Sequence, residues 1–174
     1  TADILRAIAS TPHDSTRALD AIAEPAARLF GGANVGIRRL EGEMLRMVAT
    51  AGPANREIRE VAPERPLDSN DEFARAVRDN TQIHFPDSME NLDQWPPTFR
   101  ETIRRANIRT AAITPLNRNG KAIGAMVVNR TEVKPFRPDE LELMKGFADQ
   151  AVIAIENARL LTELRESLDR QTAT

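Results

Sequence analysis

The chain has 174 residues, a usual length for one globular domain. Its 24 basic and 26 acidic residues give a formal net charge of −2, so it lacks the positive excess that nucleic acid or an anionic membrane surface attracts. Because it has neither an apolar run long enough to cross a membrane nor an export signal, the sequence predicts a cytoplasmic domain without membrane insertion.

The N-terminal part predicts two helices followed by a β-hairpin. Apolar residues at helical spacing over 4–8, stopped by Pro12, indicate a first helix. A second helix is expected over 16–30, with Pro25 bending it or limiting its first half. Apolar residues that alternate with polar ones over 35–49 then indicate two paired strands.

The middle of the chain predicts short elements separated by irregular segments. Residues 52–71 are rich in proline and charge and are expected to form a surface loop. A helix over 73–79 and a short strand over 81–85 follow. Residues 87–98 are predicted to be irregular, and a short helix is predicted over 99–106.

Two strongly apolar strands are predicted over 108–116 and 122–130, joined by a tight turn at Asn119-Gly120. Their near-continuous apolar character favours the centre of a sheet, covered on both faces. The order of elements predicts an α+β fold, in which an antiparallel sheet carries helices on one face.

A helix is predicted from Asp139 to about Thr172, because Gly146 is the only glycine there and no proline occurs. A helix of roughly 30 residues would span about 45 Å, more than a small domain's width. Its first apolar row is expected to cover the sheet: Leu141, Met144, Ala148, Ala151, Ile155 and Ala158. A second row is expected to meet a partner helix: Leu161, Leu164 and Leu168. We therefore expect a homodimer formed through the N- and C-terminal helices.

Three sequence features together resemble the GAF domain family. They are the strand 122–128, the helix entry that contains Phe136 and Asp139-Glu140, and the run Ile155-Glu156-Asn157-Ala158-Arg159-Leu160. The resemblance implies an antiparallel sheet of about six strands, with a small-molecule pocket on one face and dimer-forming terminal helices on the other. It also implies a sensory or regulatory module that does not itself catalyse, upstream of a histidine kinase, a cyclase or a transcription activator.

The resemblance divides the chain into a GAF sensory domain over 1–158 and a helical linker over 159–174. The tail is similar to linkers of bacterial sensor kinases with several GAF domains, and residues 1–6 are similar to the segment that follows such a linker. A histidine kinase with tandem sensory domains is therefore the leading hypothesis for the parent protein. The alternatives are a ligand-free dimerisation or spacer module in a tandem array, and the regulatory domain of a nucleotide cyclase or transcription regulator.

A ligand pocket is expected between the sheet and the segment 85–99, because a loop over a sheet supplies an apolar wall and free backbone donors. The candidate ligand-binding residues are Phe85, Asp87, Trp95, Phe99, Arg109, Thr110 and Ile113. Two of them have structural alternatives. Trp95 can simply close a loop onto the core, and Arg109 can pair with Asp87 or Glu101 instead of an anionic ligand.

A further motif approximates a signature of the cyclic-nucleotide-binding members of the family. Asn129-Arg130, Phe136 and Asp139-Glu140 match it, but arginine replaces lysine and the spacing before Asp139 is one residue short. The structural alternative is that Phe136 packs under the sheet while the two acids begin a helix, where they oppose the helix dipole favourably.

The remaining polar residues indicate neither catalysis nor a metal site. His13 and His84 are too few for metal-ligand spacing, and no nucleophile, base and orienting group can be traced. The cofactor is unknown, although the absence of cysteine excludes a covalent bilin and the thiol chemistry of sulfoxide-reducing relatives. The pairs Arg38-Arg39 and Arg104-Arg105 are interpreted as solvated faces.

Overall fold

A computed structural model describes residues 16–61, 64–68, 72–90, 92–95 and 97–173. The predicted first helix over 4–8 and His13 lie outside the described residues. Within them the helices are α1 (Thr16–Leu29), α2 (Asn55–Val61), α3 (Glu72–Asp79), α4 (Pro97–Arg105) and α5 (Pro138–Ala173), with a 3₁₀ turn at Leu92–Gln94. The strands are β1 (Asn34–Glu41), β2 (Met44–Ala51), β3 (Glu64–Pro66), β4 (Ile83–Phe85), β5 (Thr110–Arg118) and β6 (Lys121–Arg130).

The six strands form one antiparallel sheet in the order β3-β2-β1-β6-β5-β4. The predicted fold class is confirmed. The middle of the sheet is the β1–β6 pair, and β5 is covered by β4 on its outer side. The interior position predicted for the strands β5 and β6 agrees with their burial, since most of their residues are buried.

Helices lie on both faces of the sheet, whereas one covered face was expected. The long helices α1 and α5 pack on one face, which we call the helix face. The short helices α2, α3 and α4 pack on the other, which we call the pocket face. The prediction of a loop over 52–71 is wrong, because α2 and β3 form there. Among the α2 side chains that the structure describes, the apolar one that packs on the pocket-face core is Ile58, so no helical period was visible in the sequence.

Two apolar cores therefore exist, one on each side of the sheet. Phe30 joins α1 to α5 on the helix face, since its ring makes edge contacts with Phe136 at 6.2 Å and with Phe147 at 6.1 Å. The pocket-face core is built around large buried side chains: Leu45, Phe73, Phe85, Trp95, Ile103 and Ile113. Because both cores pack on the same sheet, a change in the packing of one core can affect the other through the strands.

Helix α1 continues through Pro25 to Leu29, so the proline does not limit its first half as expected. Pro25 is exposed, which places its ring toward solvent rather than toward the sheet. The buried side of α1 carries the predicted apolar residues, among them Leu19, Ile22 and Ala26.

Helix α5 has 36 residues without a break, so it extends about 54 Å. Its predicted first row is largely buried against the helix face: Met144, Ala148, Ala151, Ile155 and Ala158. Leu161 also packs against this core, although it is only partly buried. Leu164 and Leu168 are 56% and 52% exposed. The first half of the helix therefore packs against the core of its own domain, and the second half extends beyond that core.

Candidate functional site

A small cavity lies under the middle of the sheet on the pocket face. Its volume is about 30 Å³, which is enough for a water molecule. The walls come from β1, β2 and β6 below and from α2, α3, α4 and the residues after α4 above: Val35, Gly36, Arg38, Met47, Thr50, Ile58, Phe73, Thr102, Ile108, Val127 and Asn129. A mostly apolar wall with a few polar groups is typical of small-molecule sites in folded domains.

Arg38 is the cavity residue that the sequence analysis misinterpreted. It is 2% exposed rather than solvated, and its Nη1 donates a 3.3 Å hydrogen bond to the carbonyl of Leu45. The guanidinium carbon lies 5.6 Å from the centre of the Phe73 ring, within reach of a cation–π attraction. A second buried arginine, Arg65, lies 4.8 Å from the same ring. The pocket face therefore contains two guanidinium groups among aromatic side chains.

A hydrogen-bonded pair of asparagines connects one end of the cavity to the segment just before α2. Asn34 on β1 donates to the side-chain oxygen of Asn129 on β6 at 2.9 Å. The side-chain oxygen of Asn34 accepts the backbone N–H of Ala54, just before α2, at 2.7 Å. This bond holds the start of α2 against the central strands, so a ligand that displaced α2 would have to break it.

The predicted site residues whose side chains the structure describes do not line this cavity. Phe85 and Ile113 are buried in the pocket-face core beside it. Trp95 is 3% exposed and packs on Phe85 with ring centres 5.1 Å apart, which matches the structural alternative of a loop closed onto the core. Phe99 lies in α4. Their role in ligand binding stays a prediction.

Asp87, Arg109 and Thr110 come together at one end of β5. A side-chain oxygen of Asp87 lies 3.7 Å from Nη2 of Arg109, as the pairing alternative expected. The backbone N–H of Ser88 donates to the carbonyl of Arg109 at 2.7 Å. The backbone N–H of Arg109 in turn donates to the carbonyl of Arg130 at 2.8 Å. The turn after β4 is thereby joined to the end of β6.

The Thr110 hydroxyl links the same turn to the segment that leads into α5. Its oxygen lies 2.8 Å from the carbonyl of Pro86 and 3.1 Å from that of Glu132, and it accepts the N–H of Lys134 at 3.0 Å. A hydroxyl has one proton, so it donates to one of the two carbonyls at a time. Thr110 is completely buried, so no water replaces these bonds.

Replacing Thr110 by valine keeps the shape of the side chain and removes the hydroxyl. The substitution is expected to lower the free energy of unfolding by about 2 kcal/mol, because the buried backbone groups that bond to the hydroxyl lose their partner. Urea unfolding followed by Trp95 fluorescence measures the change. Thr81→Val is the matched control, since the Thr81 hydroxyl is exposed where it bonds the carbonyl of Asp79. Equal effects of the two substitutions would contradict the account.

His84 provides a second link, between β4 and the segment that leads into α5. Its Nε2 accepts the backbone N–H of Phe136 at 3.1 Å, two residues before the helix begins, so the ring is neutral. Burial lowers the pKa of His84 below its ordinary value of 6.5, and the nearby Arg130 charge lowers it further.

The shift predicts how stability depends on pH. Below pH 6.5 the unfolded chain binds a proton at His84 that the folded chain does not bind, so stability falls as the pH drops toward the folded-state pKa. Unfolding of the wild type and of His84→Gln at pH 7 and pH 5.5 tests this expectation. The wild type should lose more stability between these pH values than the variant; a parallel loss would contradict the role of His84.

Three residues of the Asn129-Arg130, Phe136 and Asp139-Glu140 motif form a buried cluster where α5 begins: Arg130, Phe136 and Glu140. Nη2 of Arg130 donates to the Glu140 carboxylate at 2.7 Å, and its guanidinium carbon lies 4.2 Å from the centre of the Phe136 ring. Glu140 also accepts the backbone N–H of Arg137 at 3.0 Å. Asp139 remains at the surface, where it pairs with Arg137. These contacts match the structural alternative given for the motif.

The described residues show neither a metal cluster nor a membrane-spanning helix. No group of three histidine or carboxylate side chains among them is placed to hold a metal ion. None of the helices in the described part of the chain has both the length and the apolar character needed to span a bilayer.

Comparisons with known proteins agree with this fold. A family model described as the GAF domain matches residues 14–155. Residues 122 to 287 of a methyl-accepting chemotaxis protein are 26% identical, with a TM-score of 0.70 over 91% of this chain and 98% of that one. The second GAF domain of DevS from Mycobacterium smegmatis is 22% identical, with a TM-score of 0.63 over 88% and 99%. No curated protein sequence matches the chain significantly.

A GAF domain/HD domain protein from Geobacter sulfurreducens shares the fold at 15% identity, with a TM-score of 0.72 over 87% of this chain and 97% of that one. The family model covers most of the chain and includes every strand of the sheet. GAF domains are regulatory signalling modules. With its six-stranded antiparallel sheet and its two long helices on one face, this chain belongs to the GAF domain family.

Proposed function

We propose that this domain is the small-molecule-sensing and dimerisation module of a signal-transduction protein, and that it relays ligand state through its terminal helices. The parent protein that the linker resemblance implies is a sensor histidine kinase. A continuous helix that extends beyond the core would connect this domain to the kinase. The similar chemotaxis-protein structure supports a signalling context.

The observation that carries the proposal is the position of α5. Its first half contributes Met144, Ala148 and Ala151 to the helix-face core, and the same helix continues to Ala173. A helix is stiff over this length, so a change in packing at its first half moves its second half.

The contacts of Thr110 and His84 supply a route between the two faces of the sheet. Both residues bond to the segment 132–136, which leads into α5. His84 lies in β4 and Thr110 bonds to Pro86 just after it, and Phe85 between them packs in the pocket-face core. A ligand that shifts this turn would change the bonds at the start of α5. Such coupling requires that the ligand bind two arrangements of the domain with different affinity.

The second candidate function is a ligand-free dimerisation or spacer module in a tandem array. One observation favours it: the cavity holds about 30 Å³, and Trp95 packs closely on Phe85 where the sequence analysis expected a ligand. In this case α5 would set the spacing of neighbouring domains, and no small molecule would be needed.

Native mass spectrometry of freshly purified protein separates the two functions, since it reports subunit number and bound mass together. The sensory function predicts a dimer that carries a small molecule. The control is Gly36→Val, because a Cβ at Gly36 would meet only the Met47 thioether, at 3.3 Å, and the added methyl groups would fill the cavity. This variant should remain a dimer and lose the small molecule.

If the wild type is a dimer with no bound small molecule, and candidate ligands added to it also fail to bind, the result would favour the spacer function. A monomer at every concentration would overturn both functions, because both depend on the terminal helices of two copies.

A further inference from the structure

A second cavity opens at the end of the sheet where β1 begins and β6 ends. We call it the sheet-end pocket. Its volume is about 150 Å³, and its walls are residues 30–34, which follow α1, and residues 129–132 and 134, which lead toward α5. At about 30 Å³ for each water molecule, this volume equals about five waters, so a ligand of about five to seven non-hydrogen atoms fits.

The wall of the sheet-end pocket contains a hydrogen-bond donor that the fold does not use. The backbone N–H of Ala54 bonds to the side-chain oxygen of Asn34, so the amide nitrogen of Asn34 faces Asn129. That nitrogen donates to the side-chain oxygen of Asn129, which leaves Nδ2 of Asn129 without a partner among the described residues. Asn129 is only 5% exposed. A buried donor normally has a partner, so this wall favours a bound molecule with an acceptor atom.

Two exposed side chains of opposite charge, Glu132 and Lys134, stand at the rim of the pocket. Their backbone is fixed, because the Thr110 hydroxyl bonds to the carbonyl of Glu132 and to the N–H of Lys134. In addition, Nη1 of Arg130 donates to the carbonyl of Lys134 at 2.8 Å. The charge of Arg130 is already paired with Glu140. The rim therefore offers one ammonium and one carboxylate group on a rigid segment.

The opposite wall of the pocket is the carboxyl end of α1. The N–H groups of Gly31 and Gly32 bond back to the carbonyls of Arg28 and Ala27. The last carbonyls of a helix have no helical N–H to accept, and the helix dipole adds a partial negative charge, so this wall favours a cation. Side chains do not cover it, since both glycines are exposed and a Cβ on either would have no atom within 4 Å.

Together these groups match a small zwitterion. A carboxylate is the strongest acceptor for the amide of Asn129 and for the ammonium group of Lys134. An ammonium group fits the carbonyl end of α1 and the carboxylate of Glu132. A phosphate or a dicarboxylate would meet the same two negative groups with one cation to offset them, so the pocket disfavours it. An α-amino acid with a small side chain has both charges and the right size.

We propose that the sheet-end pocket is a second ligand site, separate from the pocket-face cavity, that binds a small amino acid as its zwitterion. Asn129 and Lys134 bind the carboxylate, and the end of α1 and Glu132 bind the ammonium group. The inference goes beyond the proposed function, because it requires neither a ligand in the pocket-face cavity nor a dimer. A bound amino acid would bridge the residue that follows α1 and the segment that leads into α5, and so would hold the ends of both long helices together.

An NMR titration of isotope-labelled protein with glycine, L-alanine and L-serine tests the site, because the side-chain amide of Asn129 gives its own signals. These signals should shift and saturate. Propionate and ethylamine each keep one of the two charges and should bind about tenfold more weakly than L-alanine, since each loses a charge-assisted contact. No shift at about 50 mM of each amino acid, where even a site of millimolar affinity is occupied, would overturn the proposal. Binding of propionate as tight as that of L-alanine would also overturn it, because the site would then recognise an anion.

Lys134→Gln separates the proposed contact from general surface charge. The side chain is exposed, so the variant should fold, and it should bind L-alanine about tenfold more weakly than the wild type. Lys121→Gln is the matched control, because Lys121 is exposed at the opposite end of β6. It should bind L-alanine like the wild type. Equal affinities of the two variants would overturn the role of Lys134 and with it the proposed site.

Gly36→Val separates the two cavities, which both have Asn129 in their walls. Gly36 borders only the pocket-face cavity of the two, so the substitution fills that cavity and leaves the sheet-end pocket open. L-alanine should therefore bind Gly36→Val with the affinity of the wild type. Loss of binding would place the amino acid in the pocket-face cavity, which would overturn this inference and support the proposed sensory function. A wild type that purifies without a small molecule would count against the sensory function and leave this site in place.

Discussion

Glu140→Gln is expected to lower the free energy of unfolding by about 3 kcal/mol, because it leaves the Arg130 guanidinium buried without its counter-charge. Both side chains of the pair are less than a tenth exposed. The substitution also weakens the bond that the Glu140 carboxylate accepts from Arg137 at the start of α5. Urea unfolding, followed through the fluorescence of the single tryptophan, measures the change.

The neighbouring carboxylate provides the control. Asp139 pairs with Arg137 at the surface, and both side chains are about two-thirds exposed. Asp139→Asn should therefore leave the stability almost unchanged, since exposed ion pairs contribute little. A similar loss in both variants would show that the helix dipole, rather than the buried pair, governs this end of α5.

The same pair predicts an acid dependence. Burial alone would raise the pKa of Glu140, but the Arg137 N–H and the Arg130 guanidinium outweigh it and hold the pKa below its ordinary value of 4.5. The stabilising contribution is complete above pH 4.5 and is lost as the pH falls through the folded-state pKa. The difference between the wild type and Glu140→Gln should therefore shrink in acid.

Gly124→Ala is expected to cost about 3 kcal/mol or to prevent folding, because a Cβ there has no room in the centre of the sheet. The added carbon would lie 2.1 Å from the backbone carbonyl oxygen of Arg38 on β1. Backbone cannot move aside as a flexible side chain can, so the β1–β6 pair must separate. Gel filtration and circular dichroism report whether the variant folds, and urea unfolding gives the loss.

Gly36→Ala is the matched control on the neighbouring strand. Its added carbon would meet only the end of the Met47 side chain, at 3.3 Å. Methionine adapts to such a contact, so we expect a change within about 1 kcal/mol. If Gly36→Ala destabilised the protein as much as Gly124→Ala, the loss would come from glycine replacement in the sheet in general and not from the close approach of β6 to β1.

The sequence was sufficient for the elements with a strong period. The alternation over 35–49, the apolar strands over 108–130 and the uninterrupted α5 predicted the sheet and its long helix correctly. Those patterns are set by burial on one or both faces, which the residue types record directly. Element order then limited the arrangement to an α+β sheet.

The pocket face could not be predicted in the same way. The helices predicted over 73–79 and 99–106 do form, as α3 and α4, but α2 has seven residues, too few for a reliable helical period. Arg38 looked solvated because it stands beside Arg39, whereas the pairing of β1 with β2 shifts register between Ile37 and Arg38. Sequence patterns do not encode such a bulge, and they do not show that helices cover that face.

The second apolar row predicted for α5 illustrates a related limit. Leu160 and Leu161 are adjacent in sequence and lie about 100° apart on the helix, so either can belong to a row with Leu164. The sequence analysis chose Leu161. Only the position of the sheet shows that Leu161 packs against its own core while Leu160 faces outward.

The central claim is that α5 belongs both to its own domain and to a contact with a second copy, and sedimentation equilibrium of Leu164→Glu tests it most directly. The account predicts a dimeric wild type and a monomeric variant that keeps the wild-type far-ultraviolet circular dichroism spectrum and unfolding transition in urea. Glu166→Gln, on the opposite side of the helix, should remain dimeric. A wild type that stays monomeric at high concentration, or a Leu164→Glu variant that dimerises like the wild type, would contradict the account.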